Sequence, residues 1–587
     1  MFRSSHSLSS LARTVARTVA RTSRCAPVAL LTLVAGVAGQ TLVADIHPSG
    51  SSYPDLFRSC WFEGRLYFAA DDGTHGAELW CSDGTASGTA LVADVRPGSA
   101  GSSPTLLVAF RGAIYFVAND GVHGSELWRT DGTATGTTMV ADVRPGSASS
   151  SMRDLMAVGD HLFFAADDGA HGLEPWVSDG TATGTMLLAD VRPGANASSP
   201  QQFADVHGAV LFRADDGTTG AEPWISDGTP AGTRLFVDAT PGAGSTWPLS
   251  FTPFGPVVLF AGHANIDGTE LWVTDGTAAG THMVLDLGTG ALSGVNGPIV
   301  RLGDAVYFNG GPSGDGLWKS DGTATGTVAV ASGSAQELTV AGDRLFWVNE
   351  HANGVDLWVT DGSTSGTQDL GTIHTYGRME GYGLSAAGPG VVFLGEDPVH
   401  GDELWTSDGT AMGTGLRADL VPGSASSDPD GFVAHGGRVW FRANGSEGNE
   451  LWRLEAATVE TFGSACTGTG TLAPRIAALG APRIGRTWTP TLSAAQPTAL
   501  AALLLGTGRS SLPLPPTGAC RILVDSILTQ VLRTTDTTGR ASLDLAIPGD
   551  PLLLGVSLDL QWLAEDPSGP ALGVATASAA LEATVGS

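Results

Sequence analysis

The sequence predicts an all-β protein: a β-propeller of about nine four-stranded blades, closed by an N-terminal strand and followed by a C-terminal β-sandwich. Three observations carry this. A word centred on tryptophan, ELW or a near variant, recurs at Trp80, Trp128, Trp176, Trp224, Trp272, Trp318, Trp358, Trp405 and Trp452. The spacings between them, 48, 48, 48, 48, 46, 40, 47 and 47 residues, are those of a repeat array. Each unit then holds four short β-type runs, and the two ends of the array are incomplete in complementary ways. Composition agrees, since 81 Gly and 32 Pro with only 15% charged residues suit many turns between short apolar strands.

The elements follow in order. Residues 1–39 carry Arg3, Arg13, Arg17, Arg21 and Arg24, no acid, and the apolar run APVALLTLVAGVA at 26–38. They read as a secretory signal cut near Ala38 or Gly39, with an organelle transit peptide as the weaker rival. The run is too short to span a bilayer, and no later segment is long enough. Next comes TLVADIHPSG (41–50), a fourth strand with no first three before it.

In the second unit the four runs are PTLLVAF (104–110), AIYFVAN (113–119), SELWRTD (125–131) and TTMVADV (137–143). The joints RG, DGVHG and DGTATGT supply hairpin chemistry, with Gly where positive φ is needed. The link RPGSASSS then steps to the next unit. The array, read as residues 40–456, ends on three strands with no fourth. A ring lets residues 41–46 complete the last blade and leaves no open sheet edge. Nine blades result, with eight as the alternative.

Beyond the array, residues 463–587 contain runs such as CRILVDS (520–526) and LGVSLDLQW (554–562), separated by turn signals, as in a β-sandwich. For an exported chain, disulfides Cys466–Cys520 and Cys60–Cys81 are expected. No C-x-x-C pair exists, which argues against zinc. Loss of the leader's five arginines leaves 25 basic against 59 acidic residues, a net −34. Such a chain repels nucleic acid and anionic lipid.

The words ELWRTDGTATGT (126–137) and ELWVTDGTAAGT (270–281) resemble the signature of the bacterial ELWxxDGT repeat proteins. The resemblance covers residues 40–456, and it implies export and a repeat fold but no catalytic residue. Departures stand at Pro175, Pro223 and Gly316, and after Trp452. The FGxxCxG opening near 462 resembles C-terminal modules attached to exported bacterial proteins.

The repeated polar residues are expected to be structural. Alternation puts Glu126 and Trp128 on one strand face and Leu127 on the other. Trp is the expected wedge between blades, and Glu78, Glu126, Glu174, Glu222, Glu270, Glu403 and Glu450 are expected to accept backbone N–H bonds. The loops DDGTHG (71–76), NDGVHG (119–124) and DDGAHG (167–172) offer oxygen ligands that would suit structural Ca²⁺. No D-x-D-x-D-G loop appears, however, and Thr219 takes the His place in the fourth unit, so turn chemistry is favoured and no cofactor is expected.

Binding is sought where the units differ. QDLGTIHTYGRMEGYG (368–383) replaces the usual link and carries His374, Tyr376, Arg378, Glu380 and Tyr382, and GSTWPLSF (244–251) adds Trp247. With the drift of a degenerate repeat as the rival, these residues are the candidate ligand patch. The function expected is that of an exported, non-enzymatic interaction or structural module, secreted or at the cell surface, binding glycan or protein. An extracellular polysaccharide hydrolase or lyase is the alternative.

Overall fold

Nine antiparallel four-stranded sheets arise because each unit places short β-branched and aromatic runs between glycine-rich turns that reverse the chain. The computed structural model describes residues 40–455, apart from 264–267, 278, 289–291, 313–315, 376–380 and 436–437, and the backbone of strands between 459 and 584. Residues 1–39, the expected leader, lie outside the described residues.

Blade 1 comprises Asp55–Phe62, Arg65–Asp71, Ala77–Ser82 and Ala90–Ala93, and blade 2 comprises Thr105–Phe110, Ala113–Asn119, Ser125–Thr130 and Thr138–Ala141. Blades 3 to 8 repeat this order, beginning at Arg153, Gln201, Leu249, Val295, Gln336 and Ser385. Blade 9 is assembled from both ends of the array: Asp430–His435, Arg438–Gly445 and Gly448–Glu455, completed by Gln40–Ala44. The first strand of every blade neighbours the first strands on either side, from blade 1 round to blade 9 and back. First strands are therefore innermost, and the ring is closed.

The closing strand copies the ordinary outer strand. In blade 2 Leu127 opposes Ala141 and Trp128 opposes Met139, with a register shift between them. In blade 9 Leu451 opposes Ala44 and Trp452 opposes Leu42, with the same shift.

Each core lies between two blades. Leu79, Tyr67 and Cys81 of blade 1 pack against Phe116, Ile114 and Ala118 of blade 2, with Trp128 at the margin. The closing seam uses the same parts, Leu451 and Trp440 against Phe68, with Trp80 beside it. The expected wedge needs correcting here. Trp128 pairs across the sheet with Phe116, as Trp80 does with Phe68 and Trp176 with Phe164. The phenylalanine is the fully buried member, and most of the tryptophans are only half-buried. The wedge is a Phe–Trp pair in eight blades and a Trp–Trp pair, Trp347 with Trp358, in blade 7.

The expected Cys60–Cys81 disulfide is contradicted. Both residues oppose Tyr67, Cys60 from one side and Cys81 from the other. Two strand spacings, about 9–10 Å, separate them, beyond the roughly 4.4–6.8 Å between Cα atoms that a disulfide spans. Both are free thiols, and burial pushes the Cys60 thiol up. Cys466 and Cys520 lie outside the described residues. In the C-terminal region, Val459–Phe462, Ala575–Thr584, Ser557–Glu565, Leu500–Gly506 and Thr529–Thr534 form one antiparallel sheet, and Arg475–Leu479 and Thr487–Ser493 belong to another. No helix among the described residues is long and apolar enough to cross a membrane.

Candidate functional site

The repeated glutamates are the most chemically suggestive groups, and the fold spends all seven on one structural task. Each is fully buried on a third strand. Glu126 accepts from the Val143 N–H (2.9 Å) and the Ser150 N–H (2.9 Å). Glu174 accepts from Val191 and Ser198 at 3.0 and 2.8 Å, and from the Ser198 hydroxyl at 2.6 Å. The acceptor always reaches the residues 17 and 24 places ahead, which belong to the link between blades. Glu450 makes the same set with Ile46 (3.0 Å) and Ser52 (3.0 Å to N, 2.6 Å to Oγ). The two ends of the array, some 400 residues apart, thus share one clamp. Link amides have no sheet partner at the point where the chain turns inward, so a buried carboxylate satisfies them. Burial drives the carboxyls of Glu126, Glu174 and Glu222 up to about 7, against the pull of these hydrogen bonds.

The DGT turns are equally self-contained. Asp131 Oδ1 accepts from the N–H and hydroxyl of Thr133 at 2.9 and 2.7 Å, and the Thr133 hydroxyl accepts from the Gly136 N–H at 3.0 Å. Those hydroxyl and amide bonds hold the Asp131 carboxyl below its ordinary value. A Cβ on Gly136 would overlap the Asp131 carboxylate, which explains the second glycine of the word.

In the DDGxHG loops, Asp72 Oδ1 accepts from the N–H groups of Thr74 and His75, and Oδ2 meets His75 Nδ1 at 2.7 Å. Asp120 with His123 and Asp168 with His171 repeat the arrangement. Burial opposes charge on Asp72, but the bonds from His75 and Thr74 prevail and its carboxyl is lowered. The hydrogen bond to Asp72 raises His75 in turn. These oxygens are turned onto their own loop, which is turn chemistry, not convergence on a cation.

The candidate patch is divided by the structure. His374 and Tyr382 are 1% and 2% exposed, so the expectation that they form a surface patch is corrected. Tyr376, Arg378 and Glu380 lie outside the described residues. His374 stands between blades 7 and 8: Nδ1 is 3.3 Å from Glu396, Nε2 is 3.1 Å from Asp402, and the Tyr382 ring meets it edge-on at 5.6 Å. The ligand-type atoms of His374, Glu396 and Asp402 lie within 4.8 Å of one another, a grouping that could take a metal. The two acids address opposite ring nitrogens, whereas a metal takes one, so the histidine is best described as a bridge between carboxylates. Trp247, by contrast, is 54% exposed and stacks with Arg213 at 5.2 Å.

Two partners were not legible from the repeat. Asp356 takes the Glu place in blade 7, where it receives the Thr372 hydroxyl (2.8 Å) and not the link. Glu337 of the inner strand holds the link instead, accepting from the N–H groups of Tyr382 and Leu384 at 2.6 and 2.8 Å. The shorter acid in VDLW was the available signal.

The chain matches no protein-family model and no curated protein. Among solved structures it is similar to a puromycin hydrolase, at 16% identity and a TM-score of 0.33, over 61% of each chain. It is also similar to Pyrococcus horikoshii acylaminoacyl peptidase (10%, TM-score 0.31, 64% of this chain and 54% of that one). A third is Citrobacter koseri AztD (12%, TM-score 0.30, 54% and 86%). The chain thus spans about 61% of the length of the hydrolase it matches.

Proposed function

We propose that this chain is an exported, non-catalytic interaction module that uses a nine-bladed ring as a scaffold for binding glycan or protein. The observation carrying this reading is the fate of the repeated carboxylates. All seven clamp glutamates are fully buried against link amides, where no substrate reaches them. The turn aspartates are likewise engaged with their own loops. The Arg-rich leader with its apolar run supports export. Binding is then assigned to residues that depart from the repeat, on a rigid frame.

The test incubates the purified protein with a panel of polysaccharides and envelope proteins, scoring retention and release of reducing ends or unsaturated products together. Retention without product is the expected result. Product release that survives repurification would replace this reading with the hydrolase or lyase.

A further inference from the structure

The chain enters each regular inner strand through one residue in the left-handed region. Ser103, Ser151 and Ser199 fill this place in blades 2 to 4, at φ of 51°, 53° and 52°. Serine suits it, being short and able to bond locally. Two blades carry a large aromatic residue there. Tyr53 (φ 44°) opens blade 1 and Trp247 (φ 47°) opens blade 5. Each donates its N–H to the carbonyl just before a clamp glutamate, Asn449 and Ala221, as Ser103 does to Ala77. The three places are equivalent. Yet Tyr53 is 65% exposed and Trp247 is 54% exposed. A bulky residue is strained in this conformation, and an exposed ring recovers little of that by burial. Folding gives no reason for either ring.

The same two seams share a second departure. The residue opposite the start of the inner strand is Ala69, Val117, Ala165 and Ala261 in blades 1, 2, 3 and 5. In blades 4 and 9 it is Arg213 and Arg442. Arg213 bonds Gln201 and lies over Trp247, and Arg442 pairs with Asp430 and lies 5.5 Å from the ring centroid of Phe57. Phe57, 65% exposed, belongs to an insertion: four residues separate the paired Asp55 and Cys60, where two separate Thr105 and Val108. Two aromatic–arginine stations result, Trp247/Arg213 and Tyr53/Phe57/Arg442. Both lie at the start of an inner strand, four blades apart one way round the ring and five the other.

We propose that these two stations bind a neutral oligosaccharide, with sugar rings lying on Trp247 at one station and on Tyr53 and Phe57 at the other. The C–H face of a pyranose is attracted to the electron-rich face of an aromatic ring, and a guanidinium stacked on the ring fixes its orientation. The surroundings are polar, with exposed Gln202 and Asp154 on the intervening inner strands. A protein partner needs a contiguous apolar centre that excludes water, and these rings stand apart among polar groups. A net charge of −29 disfavours polyanions. The inference rests on the binding-module reading and gives it a ligand class and a place.

The experiment titrates the full chain by calorimetry with neutral gluco-, xylo-, manno- and chito-oligosaccharides of four to eight units. It compares Trp247→Ser and Tyr53→Ser/Phe57→Ser, which install the serine of the regular blades at the two entry positions. Each variant is expected to weaken binding about tenfold or more, with an unchanged or higher Tm, and Trp247→Phe is expected to recover most of the loss. Wild-type binding that both serine variants retain would overturn the stations and leave the module reading intact. Binding of charged glycans alone, or of no oligosaccharide in the series, would overturn the ligand class. Product release would overturn the module reading while the stations stand or fall by the variants.

Discussion

The seam between blades 2 and 3 and the seam between blades 7 and 8 solve one problem with different atoms. Both must satisfy the amides of a link that turns inward away from any sheet. At the first, Glu126 does so from within the ELW word. At the second, Asp356 sits in that place but faces Thr372, so Glu337 accepts the link amides and His374 bridges to Glu396 and Asp402. The seam between blades 9 and 1 is a third case, with the Glu126 geometry assembled from the two ends of the array. At each of these three seams a carboxylate accepts the link amides, and the repeat word is one way to supply it.

The closing seam has the most to lose. Glu450→Ala removes the acceptor from three donors in Ile46 and Ser52. It is expected to cost about 3–5 kcal/mol, read as a lower urea midpoint, and to release residues 40–52 to proteolysis. Glu126→Ala is expected to cost about 3 kcal/mol, while Asp356→Ala, at the same place in blade 7, costs under about 1 kcal/mol. Equal losses at these two positions would erase the distinction between the seams.

The histidines of the two seams differ as well. His374→Ala leaves two acids without their bridge and is expected to cost about 2 kcal/mol. His123→Ala, on an exposed loop, should leave the unfolding midpoint almost unmoved.

The clamps also set a pH dependence. The clamp carboxyls are raised on folding, so the native state holds their protons longer, and the stability they supply is lost as pH climbs from the ordinary carboxyl value through about 7. His75, His123, His171 and His400 are raised by their aspartates, and their contribution is also lost as pH rises, beginning near the ordinary histidine value. The turn aspartates are lowered, so theirs disappears only as pH falls below the ordinary carboxyl range. Tm should therefore fall from about pH 5 to about pH 8, and the triple variant Glu126→Gln/Glu174→Gln/Glu222→Gln should flatten the slope.

Much of the ring was readable because its determinants are local. Hairpin words, strand runs and the missing fourth strand at residues 430–455 all lie within one unit's length. Glutamate as an amide acceptor was readable by the same logic. The Phe116–Trp128 pairing was not inferred, since alternation alone does not say which ring is buried. The Cys60–Cys81 expectation failed because strand order sets their separation, and counting cysteines does not. His374 looked like surface because its partners, Glu396 and Asp402, lie in the following blade. Trp247 was visible as an oddity, but its likeness to Tyr53 depends on a left-handed backbone position that no sequence word marks.

Closure of the ring by the N-terminal strand underlies all of this, and it has a direct test. Thr41 and Arg453 oppose each other across the closing seam, at a separation that suits a disulfide. A Thr41→Cys/Arg453→Cys variant, oxidised and mapped by peptide mass spectrometry, should yield a 41–453 cross-link in monomeric protein and a higher Tm than its reduced form. Monomer that is folded yet forms no 41–453 link under oxidation would contradict a nine-bladed ring closed by its own first strand.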